Sequence, residues 1–214
     1  MADNKRITTI IRLLKHTYPR ARIALRYNNP WQLLVAVMLS AQCTDVTVNK
    51  VTQKLFAKYK TLDAYVGADC TEFEQDIKST GFYHTKAKNV LAAAKLIQAK
   101  FNGRVPNTME ELVTVPGVGR KTANVVLGNA YGIIVGIAVD THVLRLSQRL
   151  HLVDPKHTDP VKVEKELMAV ISKKDWFDVT YILIDHGRAV CRAQNPDCAA
   201  CVLNKLCPSS RLQV

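Results

Sequence analysis

Apolar residues recur every three to four positions along most of this chain, the period of an amphipathic helix. After Asn29-Pro30, a cap followed by a first-turn proline, the pattern runs through Leu33, Leu34, Val37, Met38 and Ala41. Val48, Val51, Leu55 and Tyr59 line one side of a second stretch, Val46 to Tyr59. A third, from about Lys86 to Phe101, carries Val90, Leu91, Ala94 and Ile97 and stops near Asn102-Gly103. Asn107 with Glu110 predicts a capping box for a short helix to about Val113. Asp159-Pro160 opens a further helix with Val163, Leu167, Val170 and Ile171 on its apolar face, and Asp175 is expected to cap a last long helix ending near Val190. Val135 to Val139 is apolar and β-branched, but no alternating partner accompanies it, so it reads as a buried connection or a helix entry. The fold class is all-α.

Composition narrows the function more than the fold. A chain of 214 residues, 48% hydrophobic, suits one large domain or two small ones. No apolar stretch reaches the roughly 20 residues of a membrane span, and Ile133 to Val139 is far too short for one. No internal repeat suggests a solenoid. The start Met-Ala-Asp-Asn-Lys-Arg lacks the apolar run of an export leader, so a cytoplasmic location is expected. Thirty Lys and Arg against 18 Asp and Glu give a net charge of +12. That balance suits phosphate-backbone binding, and the even spread of the basic residues suggests a folded surface rather than a charged tail.

Cys191, Cys198, Cys201 and Cys207 stand close together after the last predicted helix. Four thiolates in so short a run can close round one iron–sulfur cluster. The spacing alone also admits zinc, although zinc sites usually show two close cysteine pairs and here there is one. Disulfides are a third reading, disfavoured by the absence of an export leader. Cys43 and Cys70 read as small core residues.

Leu112 to Ala123 joins two short helices through Pro116-Gly117-Val118-Gly119. The glycines allow a tight turn and close approach of a ligand to the backbone. The next helix begins near Arg120 or Lys121, and its free N–H groups and dipole suit a phosphate oxygen. Such a turn would hold DNA by its backbone without reading bases. Lys121 is disfavoured as a cation at a helix N-terminus, and partial burial would make its amine nucleophilic. Taken alone, Lys121 reads first as a solvated or phosphate-contacting lysine, ahead of the nucleophile. Asp140 reads either as the N-cap of the helix after it or as an acid beside a reacting centre.

Together these segments resemble the endonuclease III family of DNA glycosylases within the helix-hairpin-helix superfamily. The resemblance rests on Leu39-Ser40-Ala41-Gln42-Cys43-Thr44-Asp45, Val115 to Asn124, Val139-Asp140-Thr141-His142, His186-Gly187-Arg188 and the four cysteines, in that order. It implies two helical domains with a DNA-binding cleft between them. A six-helix domain over 22–132 would contain the hairpin. Residues 1–21 and 133–214 would form a discontinuous domain with a [4Fe-4S] cluster on Cys191, Cys198, Cys201 and Cys207. The implied activity is excision of oxidised pyrimidines from duplex DNA, with strand cleavage at the abasic site. In this reading Lys121 is the amine that forms a Schiff base and Asp140 assists proton transfer. Gln42 fills the gap left by the flipped base. Gly117, Val118, Gly119, Arg120, Thr141 and His142 are DNA contacts. The partner would be duplex DNA bearing oxidised pyrimidines or abasic sites, the protein a nucleoid-associated monomer.

Three features depart from the family pattern. Phe82, in Gly81-Phe82-Tyr83-His84, stands where a leucine commonly enters the base stack, and an aromatic ring can serve as such a wedge. The loop between Cys191 and Cys198 keeps only Arg192, offset by Asp197. The stretch from Gly132 to Asp140 is about one residue longer than the common form. Two rival functions are a mismatch adenine glycosylase and a non-catalytic, redox-sensing DNA-binding protein. The first would use a glutamate where this chain has Ala36, would usually lack the hairpin lysine, and would carry a further recognition domain. The second needs neither Lys121 nor Asp140.

Overall fold

A computed structural model describes residues 4–212. Met1–Asp3, part of the stretch read as lacking an export leader, and Gln213–Val214 lie outside the described residues. Among the described residues there is no strand, and Ile134–Val139 is a non-helical connection with Ile137, Ala138 and Val139 buried. No helix is long and apolar enough to cross a membrane. The chain divides into two compact units, Ala24–Ile133 and the discontinuous pair Met1–Ile23 with Ile134–Val214.

The first helix, α1 (Asn4–Thr17), belongs to the discontinuous unit. The continuous unit contains α2 (Pro30–Leu39), α3 (Asp45–Lys58), α4 (Leu62–Val66), α5 (Cys70–Ile77), α6 (Tyr83–Lys100), α7 (Met109–Leu112) and α8 (Arg120–Val126). Of these, α4 and α7 are single turns. Every residue of α2 from Leu33 to Leu39 is buried, against α3, α6 and α8. A helix apolar on all sides is a core helix, so α2 is the pillar of this unit. Asn29 caps it by accepting from Gln32 N at 2.9 Å, with Pro30 in the first turn. It ends two residues earlier than its apolar pattern suggested: Ser40 is the C-cap, and Ala41 is exposed beyond it.

The short helix before the hairpin begins one residue later than the capping-box pattern predicted. Thr108, not Asn107, is the N-cap. Its hydroxyl accepts from Glu111 N at 3.3 Å and donates to the Glu111 carboxylate at 2.9 Å, so the partner is Glu111 rather than Glu110. Both neighbouring pairs fit the sequence rule, and the register that buries Leu112 prevails.

The discontinuous unit packs α1 with α9 (Thr141–Arg149), α10 (Pro160–Val170) and α11 (Trp176–Ala189). Ile7, Ile10 and Leu14 of α1 share a core with Val143, Leu146, Leu167, Val179 and Leu183. Arg6 fastens the start of α1 by donating to the carbonyls of Leu150 at 2.8 Å and Leu206 at 3.2 Å. Asp159 caps α10 as expected. Asp175 holds the N-cap position of α11 but makes no side-chain cap bond. A 3-10 turn, Lys173–Asp175, precedes that helix, and the Asp175 carboxylate pairs with Lys15 Nζ at 2.6 Å instead. Gly187 lets α11 approach α9, since a β-carbon there would meet Arg145 Nη2 at 2.9 Å.

Candidate active site, DNA interface and cluster cradle

The hairpin is a tight turn from Val115 to Val118, closed by Val118 N donating to Val115 O at 3.0 Å. Pro116 and Gly117 are its central residues. Gly117 has φ +77, which the third residue of a type II turn requires. A β-carbon there would also meet Asn89 Cβ and Met38 Cε, each at 2.9 Å, so the turn is seated against α2 and α6. Gly119 differs. It is the N-cap of α8 with φ −97, and no atom lies within 4 Å of where a β-carbon would stand. Conformation demands glycine only at Gly117. At Gly119 the missing side chain leaves the helix entrance open. Val118 is buried, whereas Gly117 and Gly119 are exposed, and Arg120 and Lys121 are the half-buried first two residues of α8. After Val126 the helix widens into a π turn, Leu127–Tyr131.

Asp140 is the N-cap of α9, in extended backbone. Its Oδ1 accepts from His142 N and Val143 N, both at 2.8 Å. Oδ2 stands 3.3 Å from His142 Nδ1. Asp140 is therefore the N-cap that the sequence allowed, and its second oxygen faces the His142 imidazole. Thr141 is exposed and His142 half-buried at the start of α9. Lys121 belongs to the continuous unit and Asp140 to the discontinuous one.

Gln42 and Phe82 both have left-handed backbone, with φ 52 and φ 48. Gln42 lies beyond the end of α2 rather than in its last turn. Phe82 is 65% exposed and so is not a core residue. It precedes α6, and Lys86 N donates to its carbonyl at 3.1 Å. Lys86 also carries a side chain with no counterpart in the sequence reading. Its Nζ is buried and donates to Leu39 O at 2.9 Å and Thr80 O at 2.8 Å. The available signal was a lysine on the same helical stripe as Val90, Ala94 and Ile97.

The four C-terminal cysteines line a cavity of about 110 Å³. That is far more than the roughly 10–15 Å³ a single water needs. Among the described residues, no three His, Cys, Asp or Glu side chains form a group that could hold one metal ion. Four thiols lining one cavity are a donor set that fits a four-cysteine iron–sulfur cluster. The polar groups around them agree. Arg149 Nη1 lies 3.3 Å from Cys191 Sγ, and Leu203 N donates to Cys201 Sγ at 3.4 Å. His186 Nε2 stands 3.5 Å from the same sulfur, and its Nδ1 is 3.0 Å from the Tyr18 hydroxyl. Burial lowers the His186 pKa to about 4, so its ring is neutral. Were Cys201 a thiolate ligand, it would accept from Nε2–H and leave Nδ1 to accept from Tyr18. Burial raises the Cys201 and Cys207 thiols above their usual pKa, and mutual repulsion among the thiolates adds to this. A cationic iron–sulfur core would relieve that repulsion, so the donor set fits such a group. The cluster loop is held by Arg149, which donates to Arg192 O at 2.7 Å and Ala193 O at 2.8 Å, and Asp197 accepts from Ala200 N at 3.1 Å. Arg149 was not anticipated, because its partners lie more than 40 residues ahead.

A Pro-Gly hairpin opening a helix, a capping aspartate and a four-cysteine cradle on an all-helical frame describe a helix-hairpin-helix repair protein. Residues 35–173 match the family model for HhH-GPD superfamily base excision DNA repair proteins. An endonuclease III of Synechocystis sp. is 52% identical over 212 residues, covering 99% of this chain and 96% of its own. That of Bacillus subtilis is 46% identical, covering 97% and 94%. Two solved structures, a non-covalent endonuclease III–DNA complex and a trapped endonuclease III–DNA covalent intermediate, each superpose with a TM-score of 0.94 at 43% identity over 98% of this chain. They are covered over 97% and 98% of their own lengths. The chain belongs to the endonuclease III family, the base excision repair DNA glycosylases with an associated lyase activity.

Proposed function

We propose that this enzyme removes oxidised pyrimidines from duplex DNA through Lys121 and Asp140, then cuts the strand at the abasic site it has made. The observation that carries this reading is the full-length likeness to an endonuclease III caught in covalent linkage with DNA. Lys121 is the lysine of the hairpin helix, and hairpin backbone around Gly117 and Gly119 is exposed for a phosphate. The damaged nucleotide leaves the stack to be reached. Lys121 Nζ attacks C1′, the C1′–N bond breaks, and the base departs with a proton. The sugar ring opens to a protonated imine on Lys121. That imine acidifies C2′, whose proton is removed, and the C3′–O bond breaks with the 3′ phosphate as leaving group. Water then hydrolyses the imine and frees the lysine. Asp140 accepts and returns protons and stabilises positive charge on the sugar. Gln42 and Phe82 fill the space the flipped nucleotide leaves.

Cys191, Cys198, Cys201 and Cys207 would hold a [4Fe-4S] cluster. When bound it crosslinks the C-terminal loop, and four cysteine ligands leave no open position for hydrolytic chemistry. Duplex DNA as the partner fits the net charge of +12, and we read the enzyme as a cytoplasmic monomer.

The test is borohydride reduction during reaction with a duplex carrying one thymine glycol. Wild type is expected to give a covalent protein–DNA adduct and a nicked strand, and Lys121→Gln neither. Tight lesion binding without an adduct from wild type would sink the mechanism and favour a binding role.

A further inference from the structure

The Lys86 ammonium lies at the root of two separate segments. Leu39, whose carbonyl it holds, is the last residue of α2, and three residues later the chain presents Gln42. Thr80, whose carbonyl it also holds, ends the 3-10 turn Lys78–Thr80, and two residues later the chain presents Phe82. The backbone of Lys86 adds a third tie by donating to Phe82 O. Both presented residues have positive φ, which non-glycine residues keep only where the surroundings impose it. Both are exposed.

Lys86 is an unusual choice for a structural fastener. It is only 6% exposed, and burial lowers its pKa. The acceptors found at its Nζ are two carbonyls at helix C-termini, where backbone dipoles favour a cation. A methionine would fill the same space without burying a charge. The feature a lysine adds is two directed bonds from one atom, which fix the distance between Leu39 and Thr80 and hence between the segments that follow them.

We infer that Lys86 is a positioning residue which makes Gln42 and Phe82 act as one wedge, setting their separation so that both enter the duplex together when the damaged nucleotide turns out. The inference rests on the reading of Gln42 and Phe82 as the residues that fill the gap. Lys86 touches neither DNA nor the reacting atoms; it acts through the two loops.

The experiment is a double-mutant comparison read by stopped-flow fluorescence. The probe is a duplex with one thymine glycol and a neighbouring 2-aminopurine, whose emission rises as the stack opens. Four proteins are compared: wild type, Lys86→Met, the pair Gln42→Ala with Phe82→Ala, and all three changes together. Lys86→Met is expected to slow stack opening roughly 10-fold, the scale of losing bonds from a charged donor. Its affinity for undamaged duplex should stay within about 2-fold, because the hairpin is unaltered. In the background lacking both wedge side chains the Lys86 change should have no further effect, the mark of residues that act as a unit. Equal slowing by Lys86→Met in both backgrounds would overturn the proposal while leaving the wedge intact. No effect of the Gln42 and Phe82 changes themselves would overturn the wedge reading and the proposal with it. Should Lys86→Met fail to fold, Lys86→Gln, whose amide keeps N–H donors on a shorter stem, takes its place in the same comparison.

Discussion

Arg149 Nη1 stands 3.3 Å from Cys191 Sγ while the same guanidinium holds the carbonyls of Arg192 and Ala193. One side chain of α9 therefore holds both a cysteine of the cradle and the loop that follows it. Arg149→Ala is expected to destabilise the C-terminal region by about 2 kcal/mol, since bonds from a charged donor are the stronger kind and these are partly exposed. Arg149→Lys should rescue little, because an ammonium cannot reproduce a planar fork to three acceptors. Iron per protein and cluster absorbance during heating check this. Full iron content and an unchanged midpoint in Arg149→Ala would count against it.

Asp140 combines a capping role with the proposed chemical one, and two substitutions separate them. Asparagine caps a helix nearly as well as aspartate, so Asp140→Asn should keep the melting temperature close to wild type. Asp140→Ala should cost about 1 kcal/mol through the lost bonds to His142 N and Val143 N. Both should lose glycosylase rate by roughly 100-fold or more, the range of a positioned proton-transfer group. An Asp140→Asn enzyme of normal rate would reduce Asp140 to a cap.

The hairpin glycines should respond in opposite ways. Gly117→Ala puts a β-carbon at 2.9 Å from Asn89 Cβ and Met38 Cε on a backbone with φ +77. Strain and overpacking together should cost about 2–4 kcal/mol. Gly119→Ala meets no atom within 4 Å at φ −97, so stability should change by less than about 0.5 kcal/mol. Its added methyl group stands at the open entrance of α8, so DNA affinity should still fall. Thermal melts and anisotropy titrations on the two variants decide. Equal stability losses would mean that the turn relaxes round Gly117.

Local signals were legible, and long-range ties were not. Asn29-Pro30 and Asp159-Pro160 opened helices where they stand, because a cap and a first-turn proline act within four residues. The capping box slipped by one residue because Asn107, Thr108, Glu110 and Glu111 allow two registers, and only the burial of Leu112 chooses. Asp175 was read as a cap, but Lys15, 160 positions away, claims its carboxylate. The Pro-Gly turn was legible, yet its two glycines looked alike until Gly117 was seen pressed against α2 and α6. The same limit hid Lys86 and Arg149. Their residue types suggest solvent, and only the carbonyls brought to them by folding give them work.

The segment beyond α11 contains no helix among the described residues, and of its apolar side chains only Leu203 is fully buried there. So little buried area does not offset the cost of ordering such a loop, roughly 1–2 kcal/mol per residue for the backbone alone. In the proposed reading, a crosslink through the four cysteines would supply the difference. Cys198→Ser should therefore lose iron and its brown colour, and open the segment from about 190 to 212 to proteases. The core of Ile7, Leu14, Val143 and Leu183 lies on α1, α9 and α11, so helical circular dichroism should persist with a lowered melting temperature. The hairpin folds in the other unit, and salt-sensitive binding to undamaged duplex should survive in reduced form. Wild-type iron content with unchanged melting would show that the loop is held by its protein contacts alone.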